Sequence, residues 1–511
     1  HLGIVYQSSN WHYIGMNKKV AIIGSGFGGL ALAIRLQASG LDTVIYEKRD
    51  KPGGRAYFYK EKGFHFDAGP TVITAPHIFQ ELFDLTNKKM QDYIELIPID
   101  PFYRLIWPDG EVFNYNSDMD ELNSQIHKLN PKDVYGYKKF LKYSNAVFEE
   151  GYIKMVDHPF QSIWSMIKVA PQLILLQSFR SVYSMVSKYI KHPKLRQAFS
   201  YHTLLLGGSP YSSSAIYSLI HALEHKWGVW FSKGGTSTLI AGLTQLYKDL
   251  GGTLHLNCEV KSIKTNKNNE IQSIIIHHGE EIKVSAVASN ADIYHTYNEL
   301  LSENKIAQRK TKILKRKKFS PSLFVLHFGL RKKHPKLAHH TIFFGPRWKE
   351  LLKDIYKNGV LPEDNALYLH SPSVTDSSMA PEGCSTYYAL AVVPNLGKLD
   401  IDWSMEQDRY KNIIYQQLEE TCLPNLREDL VVDRVFTPFD FKKELNAYKG
   451  AAFSMEPLLV QSAYFRIHNS DQKIKGLYFT GAGTHPGAGV PGVVNSAKAT
   501  AKIIMDRLDH G

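Results

Sequence analysis

Apolar residues along this chain fall into short blocks, and their period changes from block to block. The run VAII at positions 20 to 23 is short, apolar and β-branch-rich, which predicts a buried strand. Leu30, Ala33 and Ile34 then follow helical spacing, and Gly40 is a natural helix stop. Thr43 to Tyr46 returns to a strand pattern that ends at Glu47. Later, Leu239, Leu243, Leu246 and Tyr247 recur at helical spacing ahead of the Gly251-Gly252 turn. LHLNCEV alternates like one strand ending near Val260, and EIQSIIIHHGEEIKVSAVASNA reads as a hairpin and a return strand. Residues 130 to 227 are mostly helix-like, whereas 300 to 455 carry strand-like runs such as SLFVLHFGL and YYALAVVP. The chain closes on strand-like GLYFT, a glycine-rich loop, and a helix whose apolar face is Val493, Val494, Ala497, Ala501 and Ile504. No uninterrupted apolar run reaches the ~18 residues of a membrane span. The strongest candidate, IWSMIKVAPQLILLQSF from Ile163, is broken by Lys168 and Pro171 and suits a core helix or one lying on a membrane.

Composition narrows the picture. The 511 residues are 43% hydrophobic and 22% charged, which fits a globular chain of two or three domains. Cys258, Cys384 and Cys422 have no motif spacing, so no disulfide framework is expected and a cytoplasmic setting fits. The net charge of +12 suits a solvated basic surface or attraction to anionic lipid headgroups. No basic segment carries a groove-reading element, so no nucleic-acid partner is expected. The first fifteen residues lack the features of a signal peptide and read as an extension outside the fold, with Met16 directly before the first strand.

The candidate chemistry begins at the first turn. Gly24-Ser25-Gly26-Phe27-Gly28-Gly29 satisfies GxGxxG between a strand and a helix. Gly24 suits the tight turn, Gly26 the approach of backbone to a pyrophosphate, and Gly29 close packing of helix on strand. The helix N-terminus offers free N–H groups to phosphate, and Glu47 is placed to accept ribose hydroxyls. A second glycine turn, Gly53-Gly54-Arg55, follows soon after the ribose acid and suits a longer, flavin-bearing dinucleotide. Arg55 is a candidate for the pyrophosphate or ribose region. The terminal GAGTHPGAGVPGV lets backbone pass close to a flat ring, and Pro491 suits a first helical turn. No HExxH, GxSxG, Walker or kinase signature is present, and no Cys/His group has metal spacing. His339 and His340 are adjacent and expected to point different ways, so no metal site is expected. Asp376, Glu382, Asp440 and Glu456 are candidate proton acceptors, none singled out as the catalytic base.

GSGFGGLALAIRLQASG, EKRDKPGGRAY, FDAGPTVIT, YSLIHALEHKWGVWF, LAHHTIFFGPR, NAYKGAAFSMEP and GAGTHPGAGVPGVVNSAKA together resemble the bacterial-type phytoene desaturases, within the amine-oxidase-like flavoproteins. The resemblance covers essentially everything after Met16, with departures at Ala75 and Ser232. It implies an α/β fold: a discontinuous Rossmann-like FAD-binding domain (16–100, 228–299, 456–511), a sheet-based substrate domain (101–129, 300–455) and a helical lid or membrane-contact region (130–227). It implies FAD as cofactor, with Phe27, Gly28, Lys48, Val260, Gly483, Gly492 and Val493 joining the glycines, Glu47 and Arg55 around it. The implied activity is FAD-dependent dehydrogenation of phytoene, repeated to lycopene, in carotenoid biosynthesis. An apolar tunnel with aromatic walls is expected, to which TIFFGPRW and YLHSPSV contribute. The implied setting is cytoplasmic and peripheral to the cell membrane, with oxygen or a quinone as electron acceptor. Alternatives are a desaturase of another carotenoid (diapophytoene or a hydroxylated intermediate), a flavin amine oxidase, and a non-enzymatic prenyl-lipid escort.

Overall fold

The computed structural model describes residues 19–154 and 163–509. The expected extension at 1–15 lies outside the described residues. The first strand, β1 (Val20–Ile23), is buried along its whole length, as a strand covered on both faces must be. It leads into helix α1 (Phe27–Ala38), after which Gly40 takes φ +87° and turns the chain into β2 (Thr43–Tyr46). Far along the sequence come helix α2 (Thr236–Asp249), strands β3 (Thr253–His255), β4 (Ala286–Ser289) and β5 (Leu477–Phe479), and helix α3 (Val490–Asp509). These strands form one parallel sheet in the order β5-β4-β1-β2-β3. α1 packs against both α2 and α3, so the sequence-distant ends of the chain share one core.

LHLNCEV is not the single strand its alternation suggests. β3 stops at His255, Asn257 takes φ +51°, and Val260 opens a separate strand, Val260–Thr265, in a three-stranded antiparallel sheet. The break has a local cause. Glu47 donates its N–H to His255 O (2.8 Å), and Cys258 N–H donates to Glu47 O (2.8 Å), so the chain folds over the end of β2.

A seven-stranded sheet forms the second layer. Its order is Leu430–Phe436, Ser322–Leu330, Ser385–Val393, Leu367–His370, His340–Phe343, Tyr103–Ile106, Val112–Tyr115. Ser322–Leu330 is buried at every position. The described residues of 119–227 are mainly helical. Within it, Ile163–Leu175 remains a helix through Pro171. Ala75 is fully buried at φ +54°, and Ser232 is buried with its Oγ 2.7 Å from Thr238 Oγ1.

Candidate functional site

The glycine turn joins β1 to α1. Gly24 stands at φ +93° and donates its N–H to Tyr46 O (2.9 Å). Gly26 is the N-cap of α1 and has no side chain to cap it, and no acid lies in the first turn. The first-turn N–H groups are therefore left for an anion. A Cβ on Gly26 would lie 2.8 Å from Asn290 Nδ2. One on Gly28 would lie 2.6 Å from Asn290 Oδ1, and one on Gly29 2.1 Å from the Gly24 carbonyl oxygen. Gly28 and Gly29 thus sit behind the site, where they let elements pack, while Gly24, Gly26 and Phe27 line the cavity.

Asn290 was not singled out by the sequence. It follows β4, donates its N–H to Ile23 O (2.8 Å), and sets its amide among Gly26, Gly28 and Gly481. Its only sequence signal is its place at the end of the VASNA strand.

Glu47 is buried at the end of β2. Its Oε2 accepts Ser25 N–H (2.9 Å) and Ser25 Oγ–H (2.6 Å), and its Oε1 accepts Arg49 N–H (3.0 Å). The carboxylate lines the cavity with acceptor capacity to spare. Lys48 also lines it, but Nζ donates to Lys443 O and Asn446 Oδ1, each at 3.0 Å, and burial lowers its pKa. Gly54 and Arg55 line the wall. Arg55 Nε donates to Ala452 O (2.7 Å) and Nη2 to Ala451 O (3.5 Å). Burial lowers the Arg55 pKa, and Asp292 opposes the shift. Asp292, also on the wall, is raised by burial, against the pull of the His295 N–H and of Arg55. Val260 lines the same cavity as Glu47.

The C-terminal loop closes the other side. Gly492 and Val493 line the cavity at the start of α3. Gly483 does not, because its missing Cβ makes room for Ile293, whose Cγ1 would lie 2.2 Å away. Buried Arg466 holds the loop by donating to Thr484 O (3.0 Å) and Ala482 O (2.5 Å). Gly481 N–H donates to Ser496 Oγ (2.7 Å), and Thr480 Oγ–H donates to Gly28 O (3.3 Å), which ties the last helix to the first. Two glycine-rich turns and two helix N-termini therefore border one cavity, and this donor set fits a dinucleotide carrying a flat ring.

The cavity measures about 540 Å³. From the glycine turns it reaches Leu323, Val325, Tyr368 and Tyr388 of the large sheet, and Tyr201 and Leu223 of the helical region. Of the aromatic stretches named above, Ile342, Trp348 and Tyr368 line it. Phe343 and Phe344 are buried elsewhere in the core.

None of the four candidate proton acceptors lines the cavity. Asp376 caps a short helix and accepts Gly234 N–H (2.7 Å), Glu382 is exposed, and Asp440 forms a capping box with Thr437. Glu456 is buried, raised by that burial, and 3.9 Å from Lys398. The carboxylates on the wall include Glu47, Glu224 and Asp292, the last two of which the sequence did not mark. His339 and His340 do not diverge as expected: their rings lie 4.5 Å apart.

Asp67 is buried, and neither carboxylate oxygen has a well-formed hydrogen bond among the described residues. Burial pushes it up to about 7, while the N–H groups of Thr236 and Ser237 at the start of α2 oppose the shift. Its folded pKa lies above the unfolded one, so its contribution is fully present below about pH 4 and is lost as pH rises through about 7. Asp67→Asn is expected to gain stability over wild type between pH 5 and pH 8, by roughly 2–3 kcal/mol. Urea unfolding at the two pH values measures this, and an unchanged wild-type-to-variant difference would contradict it.

Comparison with known proteins extends these observations. The family described as flavin containing amine oxidoreductase matches residues 27–505. The chain is 54% identical over 491 residues to a phytoene desaturase (lycopene-forming) of Pantoea ananas, covering 96% of this chain and 100% of the relative. It is 52% identical, with the same coverage, to another lycopene-forming phytoene desaturase, from Pseudescherichia vulneris. Among solved structures, cyclohexylamine oxidase from Brevibacterium oxydans IH-35A superposes with a TM-score of 0.60 at 16% identity, over 97% of this chain and 100% of that one. At that identity the likeness concerns the fold.

Proposed function

We propose that this chain, which belongs to the flavin containing amine oxidoreductase family and within it to the lycopene-forming phytoene desaturases, is an FAD-dependent oxidoreductase of CH–CH bonds that converts phytoene to lycopene. The observation that carries this reading is one cavity joining two glycine-rich turns to an apolar, aromatic-walled chamber. When bound, FAD supplies the acceptor for a hydride from one carbon while a proton leaves its neighbour. Glu47 would accept its ribose hydroxyls, and the N-terminus of α1 would take its pyrophosphate. Arg55 stands between the Ala451–Ala452 carbonyls and Asp292 on the wall. Leu323, Val325, Tyr368 and Tyr388 exclude water and hold a hydrocarbon by area alone, since such a substrate has no polar handle. Asp292 and Glu224 are candidates to receive the proton among the wall carboxylates beyond the ribose acid, which also include Glu259 and Glu444. The domain division given above follows the same reading. Under argon, phytoene in liposomes should bleach the flavin absorbance of the purified enzyme and cyclohexylamine should not. The reverse pattern would overturn the assignment in favour of an amine oxidase.

The substrate dissolves in bilayers, so access is proposed from a membrane surface, with electrons leaving to oxygen or a membrane quinone. No helix among the described residues is long and apolar enough to cross a membrane. Leu173, on the helix Ile163–Leu175, lines the cavity, while Ile174 (65%), Leu175 (73%) and nearby Phe179 (65%) are exposed. The adjoining segment repeats the pattern: Leu459 and Ala463 line the cavity, and Val460 is 67% exposed. Apolar side chains on the outside of a cavity wall suit insertion among lipids. Replacing Ile174, Leu175 and Phe179 together by serine is expected to weaken liposome cosedimentation by at least about tenfold, with flavin content unchanged. Undiminished cosedimentation would contradict this docking face.

A further inference from the structure

Behind the cavity wall lies a cluster that the desaturase reading does not use. His340 opens one strand of the large sheet, and the register places it opposite His370 on the neighbouring strand. His339 directly precedes that strand, and its carbonyl accepts Ser371 N–H (2.8 Å). The three rings converge, with centroids 4.5 Å (339–340), 4.9 Å (339–370) and 5.5 Å (340–370) apart. All three side chains are buried, with exposures of 4%, 0% and 1% in chain order.

Their hydrogen bonding is one-sided. His339 Nδ1 lies 2.6 Å from Thr375 Oγ1, and His340 Nδ1 lies 2.6 Å from Tyr368 Oη. The Nε2 atoms of both rings, and both nitrogens of His370, have no hydrogen-bond partner among the described residues. One potential ligand atom from each residue lies within 4.8 Å of the others. Leaving several buried ring nitrogens unpaired is costly, because each forfeits its hydration without replacement.

A metal ion resolves that cost. We propose that His339, His340 and His370 form a three-imidazole site for a divalent transition ion of the zinc class. Imidazole is a good ligand for Zn²⁺, Cu²⁺ and Ni²⁺, and tetrahedral zinc is commonly held by three protein ligands and a water. At a Zn–N distance of about 2.0–2.1 Å the ligating nitrogens stand about 3.4 Å apart, so the rings need close by only ~1–1.5 Å. The outer contacts of two of the three rings match what such ligands require: an Nδ1–H donated to Thr375 or Tyr368 leaves the Nε2 lone pair of His339 or His340 free. Burial lowers all three histidines, His339 to about 3, so they stand in the neutral form that binds metal. The cluster is separate from the cavity lining, and Tyr368 and Tyr388 touch both, the Tyr388 ring standing 4.8 Å from that of His370. The ion would therefore brace the two strands that carry this wall.

The test uses the full-length, flavin-loaded protein without a histidine tag. Elemental analysis after growth with added zinc, and titration of the chelator-treated protein with Co²⁺ alone, are compared with His340→Gln and His370→Gln. About one equivalent of metal per chain is expected, with the visible absorption of tetrahedral Co²⁺, and both are lost in each variant while flavin content is kept. His339→Gln serves if either variant fails to fold. Wild-type protein that takes up neither ion overturns the site. So does metal retained equally by the variants, which would place it elsewhere, for instance at the exposed His277-His278 pair.

Discussion

Glu47→Ala is expected to purify with little or no flavin. In the wild type the carboxylate braces the glycine turn, accepting both the backbone N–H and the hydroxyl of Ser25. It is buried and lines the cavity, so it can accept ribose hydroxyls without competition from bulk water. A hydrogen bond to a charged acceptor is worth about 1.5–3 kcal/mol, so losing two weakens FAD binding by a factor on the order of 10²–10⁴. Alanine also leaves the Ser25 N–H without its acceptor, which loosens the turn beneath the pyrophosphate. Glu47→Gln keeps one acceptor oxygen and should fall between. The absorbance ratio of flavin to protein, with titration of the apoprotein by FAD, measures both variants. Wild-type flavin content in the alanine variant would contradict the role assigned to Glu47.

Gly29→Ala should damage the fold itself. A Cβ there would lie 2.1 Å from the Gly24 carbonyl oxygen and 3.1 Å from its carbon. These are backbone atoms of the turn that joins β1 to α1, so relief requires the helix to move off β1. α1 also packs against α2 and α3, and the displacement would spread through the core that joins the two ends of the chain. A loss of about 4 kcal/mol or more is expected, which for a chain of this size lowers the unfolding midpoint by roughly 4 °C. Gly40→Ala is the control. Nothing lies within 4 Å of a Cβ at that position, and only the φ of +87° opposes it, so a loss nearer 1–2 kcal/mol is expected. Thermal unfolding of both variants separates the two causes. Equal midpoints would contradict the packing argument.

How much of this was legible in the sequence depended on distance along the chain. The glycine turn, α1, β2 and Glu47 fall within one stretch of about thirty residues, where period and turn chemistry suffice. The terminal loop and α3 were legible for the same reason. Asn290 was not, because its contacts to Gly26, Gly28 and Gly481 exist only once β4 is laid beside β1. Asp376 and Asp440 were drawn from charge alone, yet both are consumed by capping helices, and the Thr437…Asp440 spacing carried that signal. Asp292 and Glu224 became visible only with the cavity that they line. The histidine cluster shows the limit of alternation. Side chains of neighbouring residues diverge inside a strand, but His339 precedes the strand that His340 opens, and the third ring arrives thirty residues later through the sheet register.

Dehydrogenation of a hydrocarbon by this flavoprotein shows in its product. Purified, FAD-loaded protein is incubated with phytoene in liposomes under air, and the extract is resolved by chromatography with absorbance detection. A stepwise series of conjugated polyenes ending in lycopene is expected. Recovery of unchanged phytoene, while the same preparation oxidises cyclohexylamine, would contradict it.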